Sequence, residues 1–186
     1  MSIYINDDIA HFDWQAALPL LSEQRREQCL RFKHELGRKT CAAAYLLLCE
    51  GLRREYGLTE KPVFGYEAHG KPFLLEHPDI HFSLSHCREA VLCVVSDRPV
   101  GADIESVREY HESLVRYTMN DDEVADIVHS ACPALIFTRY WTMKEAVVKL
   151  SGEGLRSDMK NVLTGFPRHV ETWVNAERGY VYSVVH

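Results

Sequence analysis

The chain has 186 residues, a formal net charge of −6 at neutral pH, and a composition that is 46% apolar and 26% charged. That length suits one domain or two small ones, and the balance of apolar and charged residues excludes fibrous and disordered classes. The acidic total argues against broad nucleic-acid binding, which needs a basic face to displace counterions.

The first residues, MSIYINDDIAHF, lack the basic-then-apolar order of a signal peptide. No apolar run nears the ~18 residues that span a bilayer, so no membrane association and a cytoplasmic location are expected. Cys29, Cys41, Cys49, Cys87, Cys93 and Cys132 form no CxxC pair. They are expected as small buried residues in a reducing compartment rather than zinc ligands. Arg25, Arg26, Arg31, Lys33, Arg38 and Lys39 are diluted only by Glu27 and Glu35, which makes this segment either a phosphate-binding patch or an ordinary solvated helix surface.

From Arg38, apolar residues at Ala42, Tyr45, Leu46, Cys49, Leu52 and Tyr56 follow the rhythm of a helix with one buried face, and Gly57 is its stop. VFGYEAHGKPFLL with a turn near Gly70, then IHFSLSH and AVLCVVS, have strand composition. After SDRPVG comes PVGADIESV. The helical stretches SVREYHESLVRY and MNDDEVADIVH follow, the latter opened by Asn120 and Glu123 as a capping box. ALIFTRYWTMKEAVVKLSG predicts a second long helix with a core stripe of Ile136, Tyr140, Met143, Val147 and Leu150, stopped at Gly152 and Gly154. NVLTGF, HVETWVN and YVYSVV complete the chain as strand candidates. The order of the first half thus recurs in the second. We expect an α+β fold, a pseudo-dimer of two similar lobes (1–98 and 99–186), each a long helix packed on a small antiparallel sheet. A ligand cleft between them is the natural site, and a monomer is the simplest assembly.

Three stretches carry chemistry. Residues two apart in a strand point the same way, so Asp103 and Glu105 project together while Ile104 faces the other side. Adjacent carboxylates stay ionised when solvated or when a cation sits between them, and hard oxygen donors of this kind suit Mg²⁺. On the second long helix Trp141, Glu145 and Lys149 share a face, with Lys144 beside them, offering a third carboxylate and two cations. In HGKPFLLEHPDIHFSLSH, Gly70 and Pro72 hold Lys71 on a turn as a point charge for phosphate, and Ser85 and His86 end a strand. His77 and His81 are too far apart along extended chain to form a metal pair.

GKP (Gly70 to Pro72), FSLSH (Phe82 to His86), VGADIE (Val100 to Glu105) and WTMKEAVVK (Trp141 to Lys149), in that order, resemble the 4′-phosphopantetheinyl transferases of the larger, surfactin-activating (Sfp) type. The resemblance runs from residue 25 to residue 155. It implies a two-lobed enzyme that moves the phosphopantetheine arm of coenzyme A to a serine of an acyl or peptidyl carrier protein, releasing adenosine 3′,5′-bisphosphate. By position it implies Asp103, Glu105 and Glu145 as Mg²⁺ ligands, and Glu145 and Lys149 as catalytic groups, with Glu145 the first candidate for the serine proton. Lys71, Ser85, His86 and Lys144, together with Arg38 and Thr40 from the basic segment, are implied as coenzyme A contacts. RYTMNDDE departs from the family pattern and leaves either Asp122 or Glu123 as the equivalent of a family acid. The competing functions are a different Mg²⁺-dependent phosphoryl transfer using the same acids, and a non-catalytic coenzyme A or carrier-protein binding module.

Overall fold

The computed structural model describes residues 1–152 and 158–186; the predicted stop at Gly154 lies outside them. The chain opens with β1 (Ser2–Asn6), then α1 (Trp14–Ala17) running into a short 3-10 turn, α2 (Glu23–Arg31) and the long α3 (Glu35–Tyr56). The hairpin β2 (Phe64–Tyr66) and β3 (Pro72–Leu74) precedes β4 (His81–His86), β5 (Val91–Ser96) and β6 (Gly101–Ser106). Helices α4 (Glu112–Thr118), α5 (Asp121–His129) and α6 (Pro133–Ser151) lead to β7 (Val170–Asn175) and β8 (Tyr180–Val185). Among the described residues no helix is long and apolar enough to cross a membrane.

Two three-stranded antiparallel sheets, β1-β5-β4 and β6-β8-β7, carry the molecule, with β2 and β3 as a separate pair. The period-2 pattern of β5 explains how they stack. Cys93 and Val95 join Tyr45, Leu48 and Leu52 of α3 in one core, whereas Leu92 and Val94 face the other way and pack with Ala102, Ile104 and Val184. A strand buried on both faces is a near-continuous apolar run, as VLCVV before Ser96 is. On the far side, α6 covers the second sheet through Ala146 and Val147 against Val185. The layers therefore run helix, sheet, sheet, helix, an α+β arrangement in which a β4 edge faces a β6 edge.

Gly101 sets the approach of the last helix. A Cβ there would lie 2.0 Å from the Ala146 carbonyl oxygen and 2.5 Å from the Leu150 nitrogen, so only glycine lets α6 and β6 meet this closely. At its C-terminus α6 stops, as expected, at Gly152 in the left-handed region (φ 74°).

Three expectations are corrected. The stripe assigned to α6 is rotated: Phe137, Thr138, Thr142, Ala146, Val147 and Val148 are buried, while Ile136, Tyr140, Met143 and Leu150 are only partly so. Small residues are what a helix needs where it touches a sheet, and the larger Ile136 and Tyr140 instead pack beside the α4–α5 core. NVLTGF forms turns, closed by Thr164 N–H to the Asn161 carbonyl and by Gly165 at φ 67°. SVREYHESLVRY becomes helical only from Glu112. The capping box on α5 is present as read, Asn120 and Glu123 each accepting the other's backbone N–H.

Candidate active site

The site gathers where β4, β6 and α6 meet. Gly101, Asp103 and Glu105 lie on the face of β6 turned to α6, opposite Ala102 and Ile104 in the inter-sheet core. Asp103 is 3% exposed; its Oδ1 accepts hydrogen bonds from Ser85 Oγ at 2.7 Å and Lys149 Nζ at 2.6 Å. Lys149 also donates to Ser85 Oγ at 2.8 Å, which closes a triangle of β4, β6 and α6 side chains. The other carboxylate oxygen of Asp103, Oδ2, is buried with no partner among the described residues. A buried ionised oxygen without a donor is costly, so its persistence marks a place for a further cation or donor.

Two half-buried carboxylates flank it. Burial, and then the charge of Asp103, raise the pKa of Glu145, with Lys149 opposing. The same two causes raise that of Glu105, with Trp141, Arg108 and Lys149 pulling the other way. The charge of Asp103 thus acts on both flanking acids, opposed at each by that of Lys149, which is bonded to Asp103. Among the described residues no three His, Cys, Asp or Glu side chains close around one point as a ready metal cage. The donor set and the orphaned Oδ2 nevertheless fit a hard divalent cation that takes a minority of its ligands from protein.

Next to this cluster Lys149 and Glu145 enter a cleft of ≈ 250 Å³, opposite His69, Lys71 and Leu84. Lys71 reaches across to the C-terminus of α6, donating to the Leu150 carbonyl at 2.9 Å, and its burial lowers its pKa. His86, exposed at the end of β4, has its pKa lowered by desolvation from its surroundings and then by the Lys149 cation, with Arg25 adding to the effect.

The remaining predicted residues go elsewhere. Lys144 is turned away from the cleft and fully buried: Nζ pairs with Glu123 at 2.7 Å and donates to the carbonyls of Thr118, Met159 and Lys160. Every ammonium proton is spent, so the assignment of Lys144 to coenzyme A is corrected to a structural one. The same pair answers which acid of RYTMNDDE matters to the fold, because Glu123 is the buried partner while Asp122 is exposed. Thr40 is 1% exposed with its hydroxyl on the Gly37 carbonyl, which corrects its assignment as a ligand contact. Arg38 lies over the Trp14 ring at 5.0 Å and donates to the Phe32 carbonyl. From the basic segment it is Arg25, held by the Cys41 carbonyl and Gln28, whose charge reaches His86.

Sequence reasoning passed over Ser83, which bonds the backbone of Ala102 beside Asp103. Its signal was there: in HFSLSH, serines alternate with Phe82 and Leu84, so Ser83 points with Ser85.

Known proteins resemble the chain along most of its length. Residues 99–183 match the family model of the 4′-phosphopantetheinyl transferase superfamily. The chain is 26% identical over 156 residues to the 4′-phosphopantetheinyl transferase Sfp of Bacillus subtilis strain 168, covering 82% of this chain and 70% of that one. It is 29% identical over 154 residues to psf-1 of Bacillus pumilus, covering 81% and 66%. A third relative, the L-aminoadipate-semialdehyde dehydrogenase-phosphopantetheinyl transferase of Eremothecium gossypii, is 32% identical over 165 residues, covering 83% and 58%. β6, α6 and β7, which include Asp103, Glu105, Glu145 and Lys149, and most of β8 lie inside the segment that matches the 4′-phosphopantetheinyl transferase superfamily.

Proposed function

We propose that the protein transfers the 4′-phosphopantetheine group of coenzyme A to a serine hydroxyl of an acyl or peptidyl carrier protein, as a two-lobed pseudo-dimer divided near residue 98 with its active site between the lobes. The observation that carries the reading is the Asp103 carboxylate, buried, bonded on one oxygen to Ser85 and Lys149 and orphaned on the other, beside the half-buried Glu105 and Glu145.

In this reaction the serine oxygen attacks the β-phosphorus of the diphosphate, and the bond from that phosphorus to the bridging oxygen breaks to release adenosine 3′,5′-bisphosphate. There is little covalent work for the protein, so catalysis is positioning and electrostatics. Lys149 supplies positive charge where the leaving oxygen gains negative charge. Glu145 accepts the serine proton. Its half-buried carboxyl stands at the cleft beside Lys149, where the incoming hydroxyl would lie. Lys71 and His86 bind phosphate groups of the donor, with Arg25 behind His86. Asp103, Glu105 and Glu145 would hold Mg²⁺, which when bound neutralises and orients the diphosphate.

The test is intact-mass spectrometry of several apo carrier proteins after incubation with this protein, coenzyme A and Mg²⁺. A mass gain of one phosphopantetheine on the carrier, abolished by EDTA and restored by added Mg²⁺, is expected. No gain on any carrier contradicts the reading and favours a binding module.

A further inference from the structure

β4 and β6 are edges of two different sheets, yet they face each other at the site. An edge strand presents backbone N–H and C=O groups that must be satisfied when buried. Here those of Ala102 are both met by one side chain. Ser83 Oγ accepts a hydrogen bond from the Ala102 N–H at 2.9 Å and donates to the Ala102 carbonyl at 3.3 Å. Ser83 is 7% exposed and Ala102 fully buried, so water is no substitute. The next residue along β6 is Asp103, and two along β4 is Ser85, its hydrogen-bond partner. The hydroxyl of Ser83 and that of Ser85 therefore act in series: the first fixes the backbone of β6 against β4, the second receives the carboxylate that this backbone carries.

We propose that Ser83 is a positioning residue for the transfer reaction, its hydroxyl locking β6 to β4 so that Asp103 meets Ser85 and Lys149 together. The proposal rests on the transferase reading for its kinetic consequence, but not for its structural one. Its work is done through Asp103, since Ser83 spends its hydroxyl on backbone.

The test compares S83T with S83V, which have the same shape and differ in the hydroxyl, alongside S83A. We expect S83T to keep kcat within about threefold, whereas S83V and S83A lose about tenfold to a hundredfold in kcat with the KM for coenzyme A nearly unchanged, as sub-ångström misplacement of reacting groups does. S83V or S83A turning over at the rate of S83T overturns the proposal. Amide hydrogen exchange of the unmutated protein tests the joint without any reaction: the Ala102 amide should be protected like those inside the β6–β8 ladder. An Ala102 amide exchanging as fast as an exposed one overturns it even if the variants do not fold. Should the unmutated protein modify no carrier, the transferase reading fails, while this exchange measurement still decides the joint.

Discussion

Two lysines of the same helix form two carboxylate pairs of opposite character. Lys144 pairs with Glu123 with both side chains almost wholly buried, three carbonyls take its remaining bonding capacity, and Glu123 is further bonded to the Asn120 N–H. Lys149 pairs with Asp103 at a cleft: its side chain is 31% exposed, Asp103 keeps one oxygen unpartnered, and two more acids crowd the pair. The ammonium of the first pair is fully bonded, and the pair ties α5 and α6 to the turn at Met159 and Lys160. The second is incomplete by construction. A buried charge whose bonding capacity is used up holds a fold; one with capacity left over is available to a ligand.

Breaking the complete pair should have the largest effect on stability. Lys144→Met strands Glu123 in the interior and should cost about 3–5 kcal/mol, whereas Lys144→Met combined with Glu123→Leu should recover much of the loss. Denaturant unfolding checks this, and a single variant as stable as the parent would mean that Lys144 does not hold the α5–α6 junction. Gly101→Ala comes next. Its Cβ meets the Ala146 carbonyl, so α6 must shift at a cost of about 1–3 kcal/mol, and Lys149 and Glu145 must move with it. Turnover should therefore fall by more than thermal stability accounts for, and parallel losses in both would dissociate the helix contact from the site.

The incomplete pair should behave in the opposite sense. Glu145 has a raised pKa, so its protonated form favours the fold at low pH and that contribution is lost as pH rises through the raised value. In metal-free protein Glu145→Gln should then raise Tm by about 2–4 °C at neutral pH, a gain that vanishes below pH ~4 where both forms are uncharged. A variant that melts lower than its parent at neutral pH would show that the acid stabilises rather than strains the site. Smallest for stability is Lys71→Ala, because among the described residues the Lys71 ammonium donates only to the Leu150 carbonyl at the end of α6. It should unfold within about 1 kcal/mol of the parent while weakening coenzyme A binding about tenfold in a calorimetric titration, a split absent if Lys71 merely caps the helix.

The sequence displayed the elements of this comparison better than their contacts. The alternation in VGADIE placed Asp103 and Glu105 on one face, and Asn120 with Glu123 announced the start of α5, because both depend on local periodicity. The fate of Lys144 was hidden. A lysine amid apolar residues on a helix reads the same whether it snorkels to water or meets a distant acid, and its partners arrive from α4, α5 and the turn after α6. The rotated stripe of α6 has a related cause, since Thr142 and Ala146 are buried by the closeness of β6 and β8 and not by their own hydrophobicity. NVLTGF was misread because its turn bonds, from Asn161 to Asp158 and from Thr164 to Asn161, outweigh a strand-like composition. The joint between β4 and β6 could not be read at all, being a meeting of two edges remote in sequence.

The most direct measurement of the central claim sets Asp103→Asn against the unmutated protein in single-turnover transfer to an apo carrier, followed by intact mass, with coenzyme A binding measured in parallel. The account predicts that the variant still binds coenzyme A but modifies the carrier about a thousandfold more slowly. Transfer by Asp103→Asn at the parental rate would contradict it.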